Sequence, residues 1–492
     1  MHSTARTGAA NVSRDAQDAD RCARPRRHVA ALCLLAGVLT ACATYTPAPL
    51  DPARSAGEFG ARRLDAPALR EQVARVLPQA ASAWPPQEWD RAGLLAVALA
   101  QNRQLAVARA EVEATLAHEI SAQEIPNPTL GLQSEYARRE PQHWLYGISF
   151  DFLLRQHGTR RLGVDIARLE TGGARAQLME RTWSVRRALV AALSDAEGAR
   201  RRLEILTRLA DAQDRLVTSQ RQRVAAGEDT PVDLVIANAA RIEIEQQQAQ
   251  ARADAVSAQA AAAAALGMPP AALDGVTIAW PEWGAPPALA DGALQAAREQ
   301  ALLSRADLAA AIGEYAQAEK KLELAVARQY PQFEFQPGYY WDHGIAKWPL
   351  DVAFTLPLFH RNQGEIAEAT AAREVAAQRM LALQAAIYGD IEAAERAEQV
   401  ALANIDAAAR RHEAAQQQLQ HADLALRLGA VDRMEHTGAD VLALRAELET
   451  VQAHAQMQAA RNALEDALHA PLSGPELALV LSLPPADPGA DR

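Results

Sequence analysis

The stretch PQFEFQPGYYWDHGIAKWPLDVAFTLPLFHRNQG, Pro331 to Gly364, decides how the chain is read. Phe333, Phe335, Tyr339 and Trp341 take every second position, and Gln332, Glu334, Gln336 and Gly338 fall between them. A strand built this way has one aromatic face and one polar face, because successive side chains point to opposite sides. Asp342-His343-Gly344 then supplies a turn, and Trp348, Leu350, Val352, Phe354 and Leu356 alternate with Pro349, Asp351, Ala353 and Thr355. Pro357 and Gly364 end the alternation before a long Ala/Glu/Gln/Arg helix. On these residues alone the hairpin suits a soluble sandwich as well as a membrane, since membrane strands alternate in the same way.

The flanking sequence separates the two readings. From Gly364 to about Leu428, apolar or small residues recur in steps of three, four or seven, among them Met380, Leu383, Ile387, Ile391, Ala394, Ala401, Ala408, Leu419 and Leu426. That is a heptad seam. At 1.5 Å per residue the helix is on the order of 95 Å long, about three times a bilayer core, so it projects through water. Gly429 ends it, and Asp432 can cap a helix that returns to Leu468.

The plan occurs twice. Leu94 to Val112 opens a first helix that ends at Ile125-Pro126-Asn127-Pro128, as Leu302 to Ala316 opens one ending at Tyr330-Pro331. Leu130, Leu132 and Tyr136, then Tyr146, Ile148, Phe150 and Phe152, form a first alternating hairpin with Gln133 and Asp151 on its polar face. A second long helix turns at Ala226-Gly227-Glu228-Asp229-Thr230-Pro231. The expected organisation is a leader over 1–41, a tether over 42–87 and a first copy over 88–266, with its hairpin at 129–153 and its tip near Gly227. A connector over 267–290, rich in Pro and Trp and packed outside the helices, precedes a second copy over 291–470. That copy has its hairpin at 332–357 and its tip near Gly429, and a proline-rich tail, 471–492, follows. The tether reads as extended, with a short helix near Leu69 to Leu77 as its one element.

The leader has a positive segment (Arg24, Arg26, Arg27) and an apolar run, Val29 to Val38, too short to span a membrane as a mature helix. Leu39-Thr40-Ala41-Cys42 resembles the bacterial lipobox. That resemblance makes Cys42 the first mature residue and the carrier of covalent lipid, palmitate included; Ala43 in place of Asp favours the outer membrane of a Gram-negative bacterium. Cys22 and Cys33 fall in the leader, so the mature chain has no pair for a disulfide. The whole chain carries a formal charge of −11, and six Arg against three Asp in the leader leave −14 after its removal. No basic cluster with interleaved aromatics points to nucleic acid.

Four strands cannot close a barrel, and open edges do not survive in lipid, so several copies should close one. With aromatic faces to lipid, Tyr146, Ile148, Phe150, Phe333, Phe335, Tyr339, Val352 and Phe354 face outward. Gln133, Asp151, Gln332, Glu334, Gln336 and Thr355 then line a pore. The doubled helix-strand-strand-helix plan, the Asn127-Pro128 and Tyr330-Pro331 junctions and the glycine tips resemble the TolC family of outer-membrane efflux factors over roughly Trp89 to Pro471. The resemblance implies a mainly α protein with a small transmembrane β part. It also implies a homotrimer with a twelve-strand β-barrel and a twelve-helix tunnel, docked through a periplasmic adaptor onto an inner-membrane pump. Leu356-Pro357-Leu358-Phe359-His360-Arg361-Asn362-Gln363-Gly364 and Arg305-Ala306-Asp307-Leu308 resemble the CzcC-like branch that serves heavy-metal pumps of the resistance-nodulation-division type. The first copy departs there, reading Phe152-Leu153-Leu154-Arg155-Gln156-His157-Gly158 without the proline.

No enzyme signature is present: no phosphate loop, no Gly-x-Ser-x-Gly elbow and no His-Glu-x-x-His, so no catalytic residue, cofactor or metal ligand is assigned. His412 and His421 lie nine apart on one helix, a spacing that does not stack them as a metal pair. The tips carry the functional expectation. Glu228, Asp229 and Asp432 present carboxylates at a tunnel mouth, where they could gate or simply cap, and by resemblance Arg223, Gly227, Thr230, Arg427 and Gly429 fall where an adaptor is met. Competing readings are the same duct serving a drug or small-organic pump, a periplasmic coiled-coil adaptor, and a structural lipoprotein without a channel.

Overall fold

The computed structural model describes residues 45–78, 84–154, 158–284, 287 and 292–476; the leader, Cys42, Gln156, His157 and the tail beyond 476 lie outside the described residues. The chain divides into two units, Met1–Glu58 and Phe59–Arg492. Most of helix α1 (Pro52–Gly60) falls in the first, where Asp51 Oδ1 accepts from the Ala53 amide at 3.0 Å. The second unit is mainly helical with one small sheet.

That unit opens with α2 (Pro67–Val76), α3 (Arg91–Gln101), α4 (Arg103–Gln123) and strands β1 (Thr129–Tyr136) and β2 (Trp144–Leu154). Helices α5 (Thr159–Ala226) and α6 (Pro231–Leu266) complete the first copy. The second comprises α7 (Ala293–Ser304), α8 (Ala306–Ala327), β3 (Phe333–Asp342), β4 (Ile345–Lys347), β5 (Leu350–Phe354), α9 (Gln363–Arg427) and α10 (Arg433–Leu468). The short helix expected near Leu69 to Leu77 is present as α2, and α1 is a further helix that composition did not suggest. Pro67 sits in the first turn of α2, and Leu69 and Val73 are buried in the core that also holds Leu94 and Leu95 of α3. Burial of that stripe outweighs the Pro and Ala content.

Helices α5 and α9 run 68 and 65 residues, about 100 Å each. Beside each, a pair of shorter helices stacks end to end: α4 and α6 lie along α5, and α8 and α10 along α9. Both α8 and α10 also pack on α5, which joins the two copies. The sequence suggests one opening helix per copy; the structure breaks each at a single residue. Asn102 caps α4 with Oδ1 while its Nδ2 donates to the Ala265 carbonyl at 2.8 Å, and Arg305 donates through Nη1 to the Ala467 carbonyl at 2.5 Å. Each break residue thus satisfies an otherwise unpaired carbonyl in the last turn of the returning helix.

The connector packs on the helices through its tryptophans. Trp283 is fully buried, donates to Ser194 Oγ at 3.3 Å and lies over Gly198, where an added Cβ would sit 3.2 Å from the ring. Nearby, the buried Arg186 donates to Glu476 Oε2 at 2.9 Å and also pairs with Glu465, which holds residues 471–476 against α5 and α10. No described helix is long and apolar enough to cross a membrane.

Candidate functional site

The two hairpins join into one antiparallel sheet in the order β1-β2-β3, with β4 and β5 both on β3. β4 and β5 keep a single register against β3 and are one strand interrupted at Trp348-Pro349, where proline has no amide to donate. The β2–β3 ladder skips Phe150 for the same reason, since Pro337 stands opposite. His343 and Gly344, at φ +46° and +100°, form the two-residue turn that a twisted hairpin prefers.

The register gathers the apolar residues. Leu130 pairs with Phe150, Leu132 with Ile148, Ile148 with Tyr339, Tyr146 with Trp341, Phe335 with Val352 and Phe333 with Phe354, so all of them share one face. That face is exposed: Leu132 is 76% accessible, Trp348 78% and Phe354 52%. Gln133, Asp151, Glu334 and Gln336 alternate onto the other face. Gln332 and Thr355 continue the alternation just outside the strands. The outer edges of β1 and β5 pair with nothing among the described residues. One residue on the polar face escaped sequence reasoning: Tyr340 lies across two strand glycines, and a Cβ on Gly147 would come within 2.2 Å of its ring. Glycines inside a strand were the available signal.

The far ends of the long helices meet in a compact ionic tip. Gly227 and Gly429 take φ +76° and +71°, the left-handed turn that closes a helix. Thr230 and Asp233 form a reciprocal capping box, and Asp432 Oδ1 accepts from the Glu435 amide at 2.8 Å. Arg223 donates to Asp229 at 2.7 Å and to Asp432 of the other copy at 2.8 Å, with Glu228 3.9 Å away. Hydrogen bonding to Asp229 holds its guanidinium above the ordinary value. Gln220, buried, also donates to Asp229 at 2.9 Å. The structure therefore brings Arg223, Glu228, Asp229 and Asp432 together; Arg427 lies in the last turn of α9 outside that set. A groove beside the tip is lined by Leu216, Gln418, Met434 and Leu442 together with Arg223 and Asp432.

A third grouping has no counterpart in the sequence reading, because its members lie far apart in the chain. Glu180 of α5, Asp307 in the first turn of α8 and His469 just past α10 converge at the junction of the copies. Burial, with Arg305 nearby, pushes the His469 imidazole down to about 4, and burial with Asp307 pushes the Glu180 carboxyl up. Asp307 is held below the ordinary range: burial opposes this, but the Arg305 fork prevails.

A sheet with an exposed apolar face and open edges, carried on helices several times longer than a membrane is thick, defines a membrane-embedded channel component with a long aqueous extension. The family model for outer membrane efflux protein matches residues 94–268 and 297–469, one block per copy, and the chain belongs to that family. It is thus an outer-membrane efflux protein of channel type. No curated protein sequence matches it. Among solved structures it is similar in fold to the outer membrane protein VceC of Vibrio cholerae, at 20% identity and a TM-score of 0.61 over 77% of this chain and 96% of that one. The outer-membrane channel OprN matches at 19% identity and a TM-score of 0.61, covering 87% and 98%. CusC, described as forming a transmembrane channel, matches at 16% and 0.61, covering 79% and 94%.

Proposed function

We propose that this chain is the passive exit duct of a tripartite efflux system, anchored by lipid on Cys42 in the outer membrane. Three copies close a twelve-strand barrel and a twelve-helix tunnel, and the tips dock through a periplasmic adaptor onto an inner-membrane pump of the resistance-nodulation-division type. The observation that carries this reading is the four-strand sheet, apolar on one exposed face and unpaired at both edges. Only further copies can satisfy those edges in lipid. In the closed barrel the aromatic face meets lipid and Gln133, Asp151, Gln332, Glu334, Gln336 and Thr355 line the lumen. The Arg223 link between Asp229 and Asp432 holds the two copies' turns together at the mouth, and its release widens the opening.

The cargo is heavy-metal cations, on the strength of the Leu356–Gly364 and Arg305–Leu308 resemblance. A deletion strain should lose resistance to some of zinc, cobalt, cadmium, copper and silver, and the purified protein should migrate as a heat-modifiable trimer that conducts in planar bilayers. Loss of drug resistance alone would assign the duct to a drug pump. A monomer without conductance would sink the channel reading in favour of an adaptor or structural lipoprotein.

A further inference from the structure

We infer that Glu180, Asp307 and His469 form a binding site for a first-row divalent transition-metal ion, with zinc as the ion that fits the donor set best. One donor atom from each lies within 4.8 Å of the others. The His469 side chain is 10% exposed, and its Nδ1 stands 3.6 Å from Glu180 Oε2, beyond hydrogen-bonding length. That oxygen is itself buried and has no hydrogen-bond partner. A buried carboxylate oxygen without a partner therefore faces an imidazole nitrogen, an arrangement that is costly unless something binds it.

The third ligand is prepared in the manner of a metal carboxylate. Asp307 accepts from Arg305 Nε at 3.0 Å and Nη2 at 2.7 Å, and from the Leu308 amide at 2.8 Å, which leaves one of about four lone-pair directions open. Trp183 stacks on the His469 ring at 5.3 Å and sets its plane. The other nearby cation, Arg187, is paired with Asp466 at 2.9 Å. Two carboxylates and an imidazole, with a fourth position for water, match an open tetrahedral zinc site; zinc bonds of about 2.0–2.2 Å require the donors to draw together. Glu180, 39% exposed on a flexible stem, is the one free to move.

The internal repeat shows that the fold can make this corner without His469. His469 ends α10 in the left-handed conformation, φ +49°, where the first copy ends α6 with Gly267, φ +71°. Asp307 lies two residues past the break at Arg305, and the first copy has Gln104 two past Asn102. The same corner is made without a histidine, so the presence of His469 in the second copy calls for another role, while Asp307 also partners Arg305 there. An ion there would tie α5 of the first copy to α8 and α10 of the second, independently of what the duct exports.

The test uses the full-length protein in detergent, stripped with chelator and titrated with zinc sulfate alone. One zinc per chain should be retained after desalting and should raise the unfolding temperature, and millimolar calcium or magnesium should not displace it. Glu180→Gln and His469→Asn, the latter tolerant of positive φ, should each weaken binding tenfold or more, whereas His412→Gln should leave it unchanged. Failure of the unmodified chain to retain zinc, or an affinity in either site variant equal to that of the unmodified chain, would overturn the assignment.

Discussion

At the scale of single residues, the helix ends rest on individual glycines and capping side chains. Gly227, Gly429, Thr230 and Asp432 announce helix ends through their own backbone chemistry, and the structure finds the caps there. Their surroundings decide what a substitution does. No atom lies within 4 Å of a Cβ on Gly429, whereas a Cβ on Gly267 would meet the Gln101 carbonyl oxygen at 2.6 Å. Gly429→Ala should therefore cost only the left-handed strain, about 1 kcal/mol, and Gly267→Ala clearly more in chemical denaturation; equal costs would show that the α3–α4 break yields freely. A pH dependence follows from His454, packed edge-on against Trp283 at 6.2 Å. Burial and the Arg201 guanidinium hold its imidazole below the ordinary 6.5. A depressed folded value means the unfolded chain takes up the proton first, so the stability it contributes is complete above about pH 6.5 and falls away as pH drops below that. The slope from one such group is at most about 1.4 kcal/mol per pH unit. His454→Gln should flatten the decline in unfolding temperature between pH 6.5 and 5; an unaltered slope would assign the protons elsewhere.

At the scale of elements, period-two alternation identified both hairpins, and pairing placed them. Phe354 and Thr355 are neighbours in sequence but point to opposite faces. An Arg at Phe354 should impair membrane assembly, by about 2–4 kcal/mol if near the bilayer midplane, while Arg at Thr355 should assemble and alter conductance instead. Outer-membrane yield of the two variants gives the comparison, and the reverse order would invert the faces. Tyr340 was overlooked because an aromatic in a strand ordinarily belongs with the apolar set. The alternation already puts it with Gln336 and Gly338, and the register adds that it lies over Gly147. The helix breaks were missed for a different reason: Arg305 is an ordinary helix-compatible residue and Asn102 a cap whose signal was passed over, and each break is also held by a bond to a carbonyl more than 160 positions away.

For the whole molecule, α6 packs on α5 and its other face remains uncovered. Val232, Val235 and Ile236 are 63%, 66% and 62% exposed near the tip, and α9 at the opposite side of the layer exposes Leu424 at the same end. In the proposed trimer these faces meet. Val235→Glu with Ile236→Glu should turn the heat-modifiable trimer into monomer while leaving the helical content of each chain intact; a stable trimer would place the contact elsewhere. The sequence by itself determined the duplicated plan, the two hairpins with their faces, and the glycine tips, because periodicity, caps and turns are local and each is written within about ten residues. Tertiary structure alone decided that the two hairpins pair through β2 and β3, that short helices stack end to end beside the long ones, that Arg223 reaches Asp432, and that Glu180, Asp307 and His469 converge. Those contacts join positions from tens to hundreds of residues apart, where the deciding quantity is which surfaces pack together, and no local pattern encodes that.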